Sequence, residues 1–325
     1  MNISDYKKLS DVITGNGKFL VLTHENPDGD AIGSVLGTVS FLRTNGKEAD
    51  AIFPQPLPDK YKFLLDNEMK LGTIIEPSRY DLVLCLDSAS SERVAVPENA
   101  NLKLATLVNI DHHPDNKLYG KYNFVDSSAA ATAQLLFKTF KMLKNAVMPP
   151  RVAEALLVGL IMDTGGFRFD NTDARTMKTA AELISLGADC PALMSKLFFS
   201  KPLAYVKFEA EMLLNHLKTE FDGKYAWLAM DDSVLAKYGL EKKDTEDLID
   251  SVKALRDVEI AAVLYKSEKG VKFSLRSKNK KISVAKIARE IGGGGHEMAA
   301  GGLVKSESLD GAGRILSQKV AELLK

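Results

Sequence analysis

Through the first half of the chain, short runs of consecutive apolar residues alternate with longer stretches whose apolar positions recur at helical spacing. Residues 18–23 (Lys-Phe-Leu-Val-Leu-Thr) are the first such run and read as a strand. Residues 31–43 follow with helical periodicity and stop before Asn45-Gly46, a good helix terminator. Residues 81–87 (Asp-Leu-Val-Leu-Cys-Leu-Asp) read as a second buried strand and residues 104–110 as a third. Strands that are apolar almost throughout, separated by helices, predict a parallel α/β sheet covered on both faces. Residues 129–143 and 152–162 are helix-like. Residues 172–186 form a further amphipathic helix with Asn171-Thr172-Asp173 as its caps.

The pattern breaks near Leu186-Gly187-Ala188-Asp189-Cys190-Pro191. A partly amphipathic stretch over 202–218 reads as a helical connector. Beyond Asp222-Gly223, strands at 225–230, 260–265 and 271–275 are interleaved with helical stretches at 244–255 and 284–291. The expected architecture is a parallel-sheet α/β domain over 1–190, a helical linker over 191–220 and a smaller α+β domain over 221–325.

Composition narrows the class. Hydrophobic residues make up 45% and charged residues 26% of 325, as in a folded protein in water. Lys+Arg and Asp+Glu number 43 each, which argues against coating long duplex DNA through a global basic field. No apolar run reaches the ~18–20 residues that span a bilayer, and the longest, 153–162, contains Glu154. A polar N-terminal stretch and two cysteines, Cys85 and Cys190, point to a cytoplasmic protein without a disulfide framework.

Four of the five histidines lie in short motifs, and acid-bearing segments follow the predicted strands directly. The first is His24-Glu25-Asn26-Pro27-Asp28-Gly29-Asp30. Ligands of an open α/β sheet bind at the carboxyl ends of its strands, so His24, Asp28 and Asp30 would enter that crevice. Two carboxylates so close repel one another unless a cation sits between them. The alternative is a polar loop with Asp30 as a helix N-cap. Asp87 ends the second strand, where an aspartate is also a common turn former, and Ser88-Ala89-Ser90-Ser91 fits capping. Asp111-His112-His113 follows the third strand, and consecutive imidazoles beside a carboxylate have little use in packing. Asp163 ends an apolar helix before Gly165-Gly166. His24, Asp28, Asp30, Asp87, His112 and Asp163 together supply nitrogen and oxygen donors without thiolate. That set suits two divalent ions, Mn²⁺ first, with Mg²⁺ or Co²⁺ also compatible. A metal pair ~3.5–4 Å apart stabilises in-line displacement at phosphorus, so the implied chemistry is hydrolysis of a phosphate ester or anhydride.

A last motif, Gly292-Gly293-Gly294-Gly295-His296 with Ala299-Ala300-Gly301-Gly302, exceeds what a helix C-cap requires. It reads as a glycine nest whose N–H groups approach an anion. Nine lysines and arginines stand between Lys266 and Arg289; a basic run of this kind is more often a solvated face, but Arg276 beside the glycines and His296 has the make-up of a phosphate or carboxylate clamp.

These motifs, in this order, resemble the DHH phosphoesterase superfamily with its associated C-terminal substrate domain, and among its branches the nano-RNase/pAp-phosphatase enzymes. The resemblance implies one metal held by His24, Asp28 and Asp87, and a second by Asp30, Asp87, His112 and Asp163, with Asp87 bridging. Asp111 would orient His112, and His113 would contact the scissile phosphate, making Asp111 and His113 the catalytic pair. Arg276, Gly294, Gly295 and His296 would hold a substrate phosphate or terminal nucleotide. Two positions depart from the family pattern: Gly166 replaces a frequent serine, and Glu297 puts a negative charge beside the clamp. The expected activity is hydrolysis of very short RNA oligonucleotides to mononucleotides and of pAp to AMP, by a phosphoric-ester hydrolase. Short RNA or phosphorylated nucleotides are the partners, with no membrane and no long duplex DNA, and a homodimer is the assembly to test. Within the same chemistry the alternatives are linear or cyclic dinucleotides (pApA, cyclic di-AMP), polyphosphate and pyrophosphate. A non-catalytic nucleotide sensor is disfavoured because all six ligand positions are present.

Overall fold

The computed structural model describes residues 1–53, 57–65, 77–96, 102, 105–245 and 247–324. The chain divides into two compact units, Met1–Ser200 and Lys201–Lys325. The first runs α1 (Ile3–Thr14), β1 (Lys18–Leu22), α2 (Gly29–Thr44), β2 (Glu48–Ala51), β3 (Leu82–Leu86), β4 (Leu107–Asp111) and β5 (Tyr122–Val125). It continues through α3 (Thr132–Phe140), α4 (Pro150–Asp163), α5 (Ala174–Ser185) and α6 (Cys190–Phe198).

Its five strands form a sheet in the order β2-β1-β3-β4-β5, and every neighbouring pair is parallel. The continuous apolar runs have a direct cause. Alternate residues of a strand face opposite sides, and both sides are dry. Phe19, Val21, Leu84 and Ile110 enter the large core with the helices, while Leu20, Leu22, Val83 and Cys85 enter a smaller cluster on the other face. β2, of sequence Glu-Ala-Asp-Ala, carries no apolar run and was not expected from the sequence; it is an edge strand, where polar residues can reach water. The third predicted strand lies at Leu107–Asp111 and so takes in Asp111, whereas Leu104 falls outside the described residues.

Helix ends follow local chemistry. α2 stops at Thr44 with Asn45 as its C-cap, and Gly46 then takes a left-handed φ of 74°. Asp173 caps α5 by accepting the N–H groups of Arg175 and Thr176. α3 is shorter than the predicted 129–143, because residues 129–131 form the turn that leads into it. α2 and α4 pack backbone to backbone through glycines. A Cβ at Gly33 would lie 2.4 Å from the Ala155 carbonyl oxygen, and one at Gly159 would lie 2.7 Å from Asp30 Oδ1.

The second unit contains α7 (Leu203–Glu211), a π-helical turn at Met212–His216, β6 (Lys218–Glu220), β7 (Tyr225–Met230), α8 (Asp232–Tyr238) and α9 (Leu248–Lys253). Then come β8 (Ile260–Ser267), β9 (Gly270–Ser277), α10 (Val284–Glu290), β10 (Gly294–His296), β11 (Ala299–Val304) and α11 (Leu309–Leu323). The sheet order is β10-β11-β9-β8-β7-β6, antiparallel except for the parallel pair β7–β8. Its two faces carry separate cores, one with Trp227, Phe273 and Leu316 and one with Leu228, Val263 and Phe208. The helix expected over 244–255 begins only at Leu248, preceded by a 3₁₀ turn at Lys242–Thr245. The stretch expected as a linker, 191–220, is divided. Leu193 and Leu197 of α6 belong to the first unit's core, whereas Tyr205, Phe208 and Met212 belong to the second's. The break falls between Ser200 and Lys201.

The glycine contact between α2 and α4 has a measurable consequence. Gly33→Ala should lower the unfolding free energy by about 1–3 kcal/mol through overpacking, outweighing the ~1 kcal/mol that alanine contributes as a better helix former. Urea denaturation checks this, and an unchanged midpoint would refute the close contact.

Candidate metal centre

The strand order reverses at β1, with β2 on one side and β3 on the other, and loops leaving such a switch point line a ligand crevice. His24 lies two residues beyond β1, buried, and its backbone forms an isolated bridge with Val94. Asp28, not Asp30, is the N-cap of α2: its Oδ1 accepts the N–H groups of Asp30 at 3.0 Å and Ala31 at 3.1 Å. Asp30 sits within the first turn, buried, and its carboxylate crosses to the N-terminus of α3. There it accepts the N–H groups of Thr132 at 2.6 Å and Ala133 at 3.1 Å, with Ser34 Oγ at 3.2 Å. A helix N-terminus favours a carboxylate through unpaired N–H groups and the helix dipole.

Asp87, immediately after β3, has a φ of 53°, a left-handed conformation that aspartate tolerates better than most residues. The side chain is buried and accepts Thr132 Oγ1 at 3.0 Å, so it reaches across the fold instead of capping its own loop. Asp111 is fully buried as the last residue of β4. His112 donates Nδ1–H to the Ala129 carbonyl at 3.3 Å, which leaves the lone pair on Nε2. That Nε2 faces Asp163 Oδ2 at 3.5 Å, Asp87 Oδ1 at 3.6 Å and Asp30 Oδ2 at 4.0 Å. His24 Nε2 faces the other oxygen of Asp87 at 3.9 Å.

One expectation needs correcting. Asp111 does not orient the His112 ring. Its Oδ1 holds His113 Nδ1 at 2.7 Å and the His112 backbone N–H at 2.8 Å, and its Oδ2 accepts Asn116 Nδ2 at 2.6 Å. The physical reason is reach: a carboxylate at the strand end meets the ring two residues on, while the intervening ring turns to the α3 side.

Among the described residues of the first unit, three triads place one donor atom each within 4.8 Å of one another: His24, Asp28 and Asp87; Asp30, His112 and Asp163; and Asp87, Asp111 and His113. The N···O separations of 3.5–4.0 Å at His112 exceed hydrogen-bond length, so these donors converge without satisfying one another. Hard carboxylate oxygens with imidazole and no thiolate fit a divalent cation of the Mn²⁺ or Mg²⁺ kind. Electrostatics agree. Burial, then Asp30 and Asp28, push the Asp87 carboxyl far above the usual range. Burial likewise raises Asp30, and raises Asp163 to about 7 with Asp30 adding to it and His112 opposing. Asp111 goes the other way: burial would raise it, but His113 and Asn116 hold it well below the usual carboxylate range. Burial works against a charged His113, and Asp111 outweighs it, so that imidazole titrates above its ordinary value.

Comparison with known proteins places this geometry. Residues 18–160 match the DHH family, N-terminal domain, and residues 222–322 match the DHHA1 domain. A protein of Thermus thermophilus named bifunctional oligoribonuclease and PAP phosphatase NrnA is 33% identical over 95% of this chain and 90% of that protein. The chain belongs to the DHH family. The Bacillus subtilis protein of the same name is 29% identical over 90% of this chain and 91% of its own. A crystal structure described as an exopolyphosphatase-related protein from Bacteroides fragilis superposes with a TM-score of 0.84 at 23% identity, covering 99% of this chain and 96% of its own.

In this DHH protein the glycine motif is not the nest that the sequence implied. Gly294–His296 form strand β10, paired with β11. The glycines are required by close backbone crossing: a Cβ at Gly293 would lie 2.2 Å from the Gly301 carbonyl oxygen, and one at Gly295 would lie 2.6 Å from that of Ala299. Gly295 also has a φ of 131°. His296 pairs with Ala299, and Ala299 with Arg276. Directly opposed residues share a sheet face, so Arg276 and His296 stand two strand spacings apart, about 10 Å, over a small alanine. Glu297 turns its carboxylate to Arg289 at 3.5 Å. Gly166 has a φ of 69°, which suits glycine and not serine.

Thr132 and Asn116 were not singled out from the sequence, and Asn171 stood out only as a helix cap. Asn171 Nδ2 donates to the carbonyls of Ala130 and Asp163, both at 3.0 Å. Only Gln134, at the third helical position, gave a local cue: a polar residue there commonly reaches back to the backbone before its helix. It does so to the Ala130 N–H at 2.9 Å.

Raised carboxyls make the protonated form the stable folded one. Their contribution is fully present below the ordinary value near 3.8 and is lost as pH climbs through about 7, as Asp163 shows. His24, lowered by burial, works the other way over the upper part of this window, but the raised Asp30, Asp87 and Asp163 outnumber it, so in EDTA the melting temperature of this DHH protein should fall between about pH 4 and 7, and Mn²⁺ should abolish that fall. Differential scanning calorimetry decides it; a flat profile in chelator would refute the account.

Proposed function

We propose that this protein is a metal-dependent phosphoesterase that hydrolyses very short RNA oligonucleotides to mononucleotides and pAp to AMP. The observation that carries the reading is the convergence, at one edge of the parallel sheet, of two carboxylate–imidazole groups beside a histidine anchored by Asp111. The names of relatives that match nearly full length support the substrate class.

His24, Asp28 and Asp87 would hold one divalent ion; Asp30, Asp87, His112 and Asp163 would hold the other, and Mn²⁺ is the preferred metal. Bound divalent ions supply Lewis-acid polarisation of phosphoryl oxygens and lower the pKa of water. The chain's own groups do the rest. His113, with Nδ1 committed to Asp111, presents Nε2 to the scissile phosphate or the leaving oxygen. In the second unit, Arg276 and His296 on one sheet face, with Gly294 and Gly295 in the edge strand, would hold a terminal phosphate or nucleotide. Zero net charge supports short substrates, because long oligomers gain affinity mainly by counterion release at basic surfaces. Among the described residues no helix is long and apolar enough to cross a membrane. A cytoplasmic location suits substrates of this kind.

With Mn²⁺, RNA dimers to pentamers should be degraded much faster than twenty-mers, as read by product chromatography; equal rates would sink the short-oligomer reading. Activity confined to polyphosphate or a cyclic dinucleotide would replace the substrate class. His113→Ala should lower turnover by roughly 10²–10⁴-fold while Mn²⁺ binding persists. His112→Ala should weaken the binding itself. If hydrolysis survives His112→Ala, the two-metal assignment is wrong; if it survives Asp111→Ala, the role of the anchored His113 is wrong.

A further inference from the structure

One turn touches candidate ligands from three other segments and is linked through Asn171 to the backbone of a fourth. Within residues 129–133, the Ala129 carbonyl accepts His112 Nδ1 at 3.3 Å, and the Ala130 carbonyl accepts Asn171, which also holds the Asp163 carbonyl. The N–H groups of Thr132 and Ala133 bind the two oxygens of Asp30 at 2.6 and 3.1 Å. The Thr132 hydroxyl donates to Asp87 Oδ1 at 3.0 Å. Thr132 is fully buried, and Gln134 fixes the turn from behind, bonded to the Ala130 N–H and to Thr179 Oγ1 at 3.2 Å.

The hydroxyl bond is selective between the two oxygens of Asp87. Oδ1, which accepts Thr132, is the oxygen that faces His112 and His113, each at 3.6 Å. Oδ2 is left to face His24 at 3.9 Å. A carboxylate free to rotate about its last torsion would exchange these two roles. Held by Thr132, each oxygen keeps its side.

We infer that Thr132 is a positioning residue that orients Asp87, so that one oxygen serves the Asp30–His112–Asp163 group and the other serves the His24–Asp28 group. The same residue ties Asp30 to Asp87 through its own N–H and hydroxyl, and so holds the two carboxylates in fixed relation. This rests on the two-metal reading above. Thr132→Val is the suitable probe, because it keeps the N–H and the branched shape and removes only the hydroxyl.

Isothermal titration with Mn²⁺ should show two ions bound to the unaltered protein. In Thr132→Val one of them should bind about 10- to 100-fold more weakly, the range for loss of a group that orients a ligand. The spin-coupled two-manganese signal in electron paramagnetic resonance should shrink accordingly. The Mn²⁺ concentration for half-maximal turnover should rise while KM for a dinucleotide stays put, and Thr132→Ser should restore both. Wild-type affinity in Thr132→Val, or equal impairment in Thr132→Ser, would overturn the role of the hydroxyl. Failure of the unaltered protein to bind two ions would instead overturn the two-metal reading. If circular dichroism in EDTA shows Thr132→Val unfolded, Thr132→Ala makes the same comparison.

Discussion

Crowding of aspartates into one buried pocket is the constraint around which the first unit is arranged. Asp30, Asp87 and Asp111 are buried, and Asp28 and Asp163 lie close enough to raise Asp87 further. Like charges in a poorly solvated space repel strongly, and no arrangement of carboxylates alone relieves this. The fold answers with oriented donors: the N-terminus of α3 on Asp30, the Thr132 hydroxyl on Asp87, and His113 with Asn116 on Asp111. Asp111 is satisfied by these bonds and stays ionised. Asp87 and Asp163 are not, and their raised pKa values mark the charge deficit that divalent cations would fill.

That difference separates two kinds of acid that look alike in the sequence. A carboxylate whose oxygens are committed to an imidazole and a side-chain amide, as in Asp111, supports its neighbour, however close it lies to the centre. One that faces several acidic neighbours is a candidate ligand, whether it has one donor, as Asp87 does, or three, as Asp30 does. Asp111 is of the first kind and serves His113; Asp87 and Asp163 are of the second. The backbone packing of α2 on α4 matters for the same reason: Gly33 and Gly159 let the helix carrying Asp30 and the helix ending in Asp163 approach within backbone contact. Larger side chains there would separate the two carboxylates.

Much of the fold was legible. Runs such as Phe19–Leu22 and Leu82–Leu86 signal buried parallel strands because both sheet faces are dry, and α2 and α4 stand out as longer apolar stretches, buried on nearly every side. Asp111-His112-His113 stands out because adjacent imidazoles serve no packing purpose. Three features were not legible for physical reasons. β2 is short and polar at an edge, α1 has only Tyr6, Leu9 and Ile13 as buried apolar side chains in a polar segment, and β10 is written in glycine, a residue that strands usually avoid. Thr132 sits in a string of small residues that would begin a helix equally well without any ligand nearby.

What the sequence determined by itself is the local inventory: which residues bear acid, imidazole or no side chain, and which stretches form strands or helices. These depend on interactions over three or four residues, which periodicity records. Only the tertiary structure decided that Asp111 supports His113, that Asp28 caps α2 while Asp30 crosses to α3, and that the glycines answer a neighbouring strand. Asp30 and Thr132 are 102 residues apart in the chain, and their bond exists because packed helices bring them together. Contacts of that kind are set by packing between distant segments, and spacing along the chain carries no trace of them.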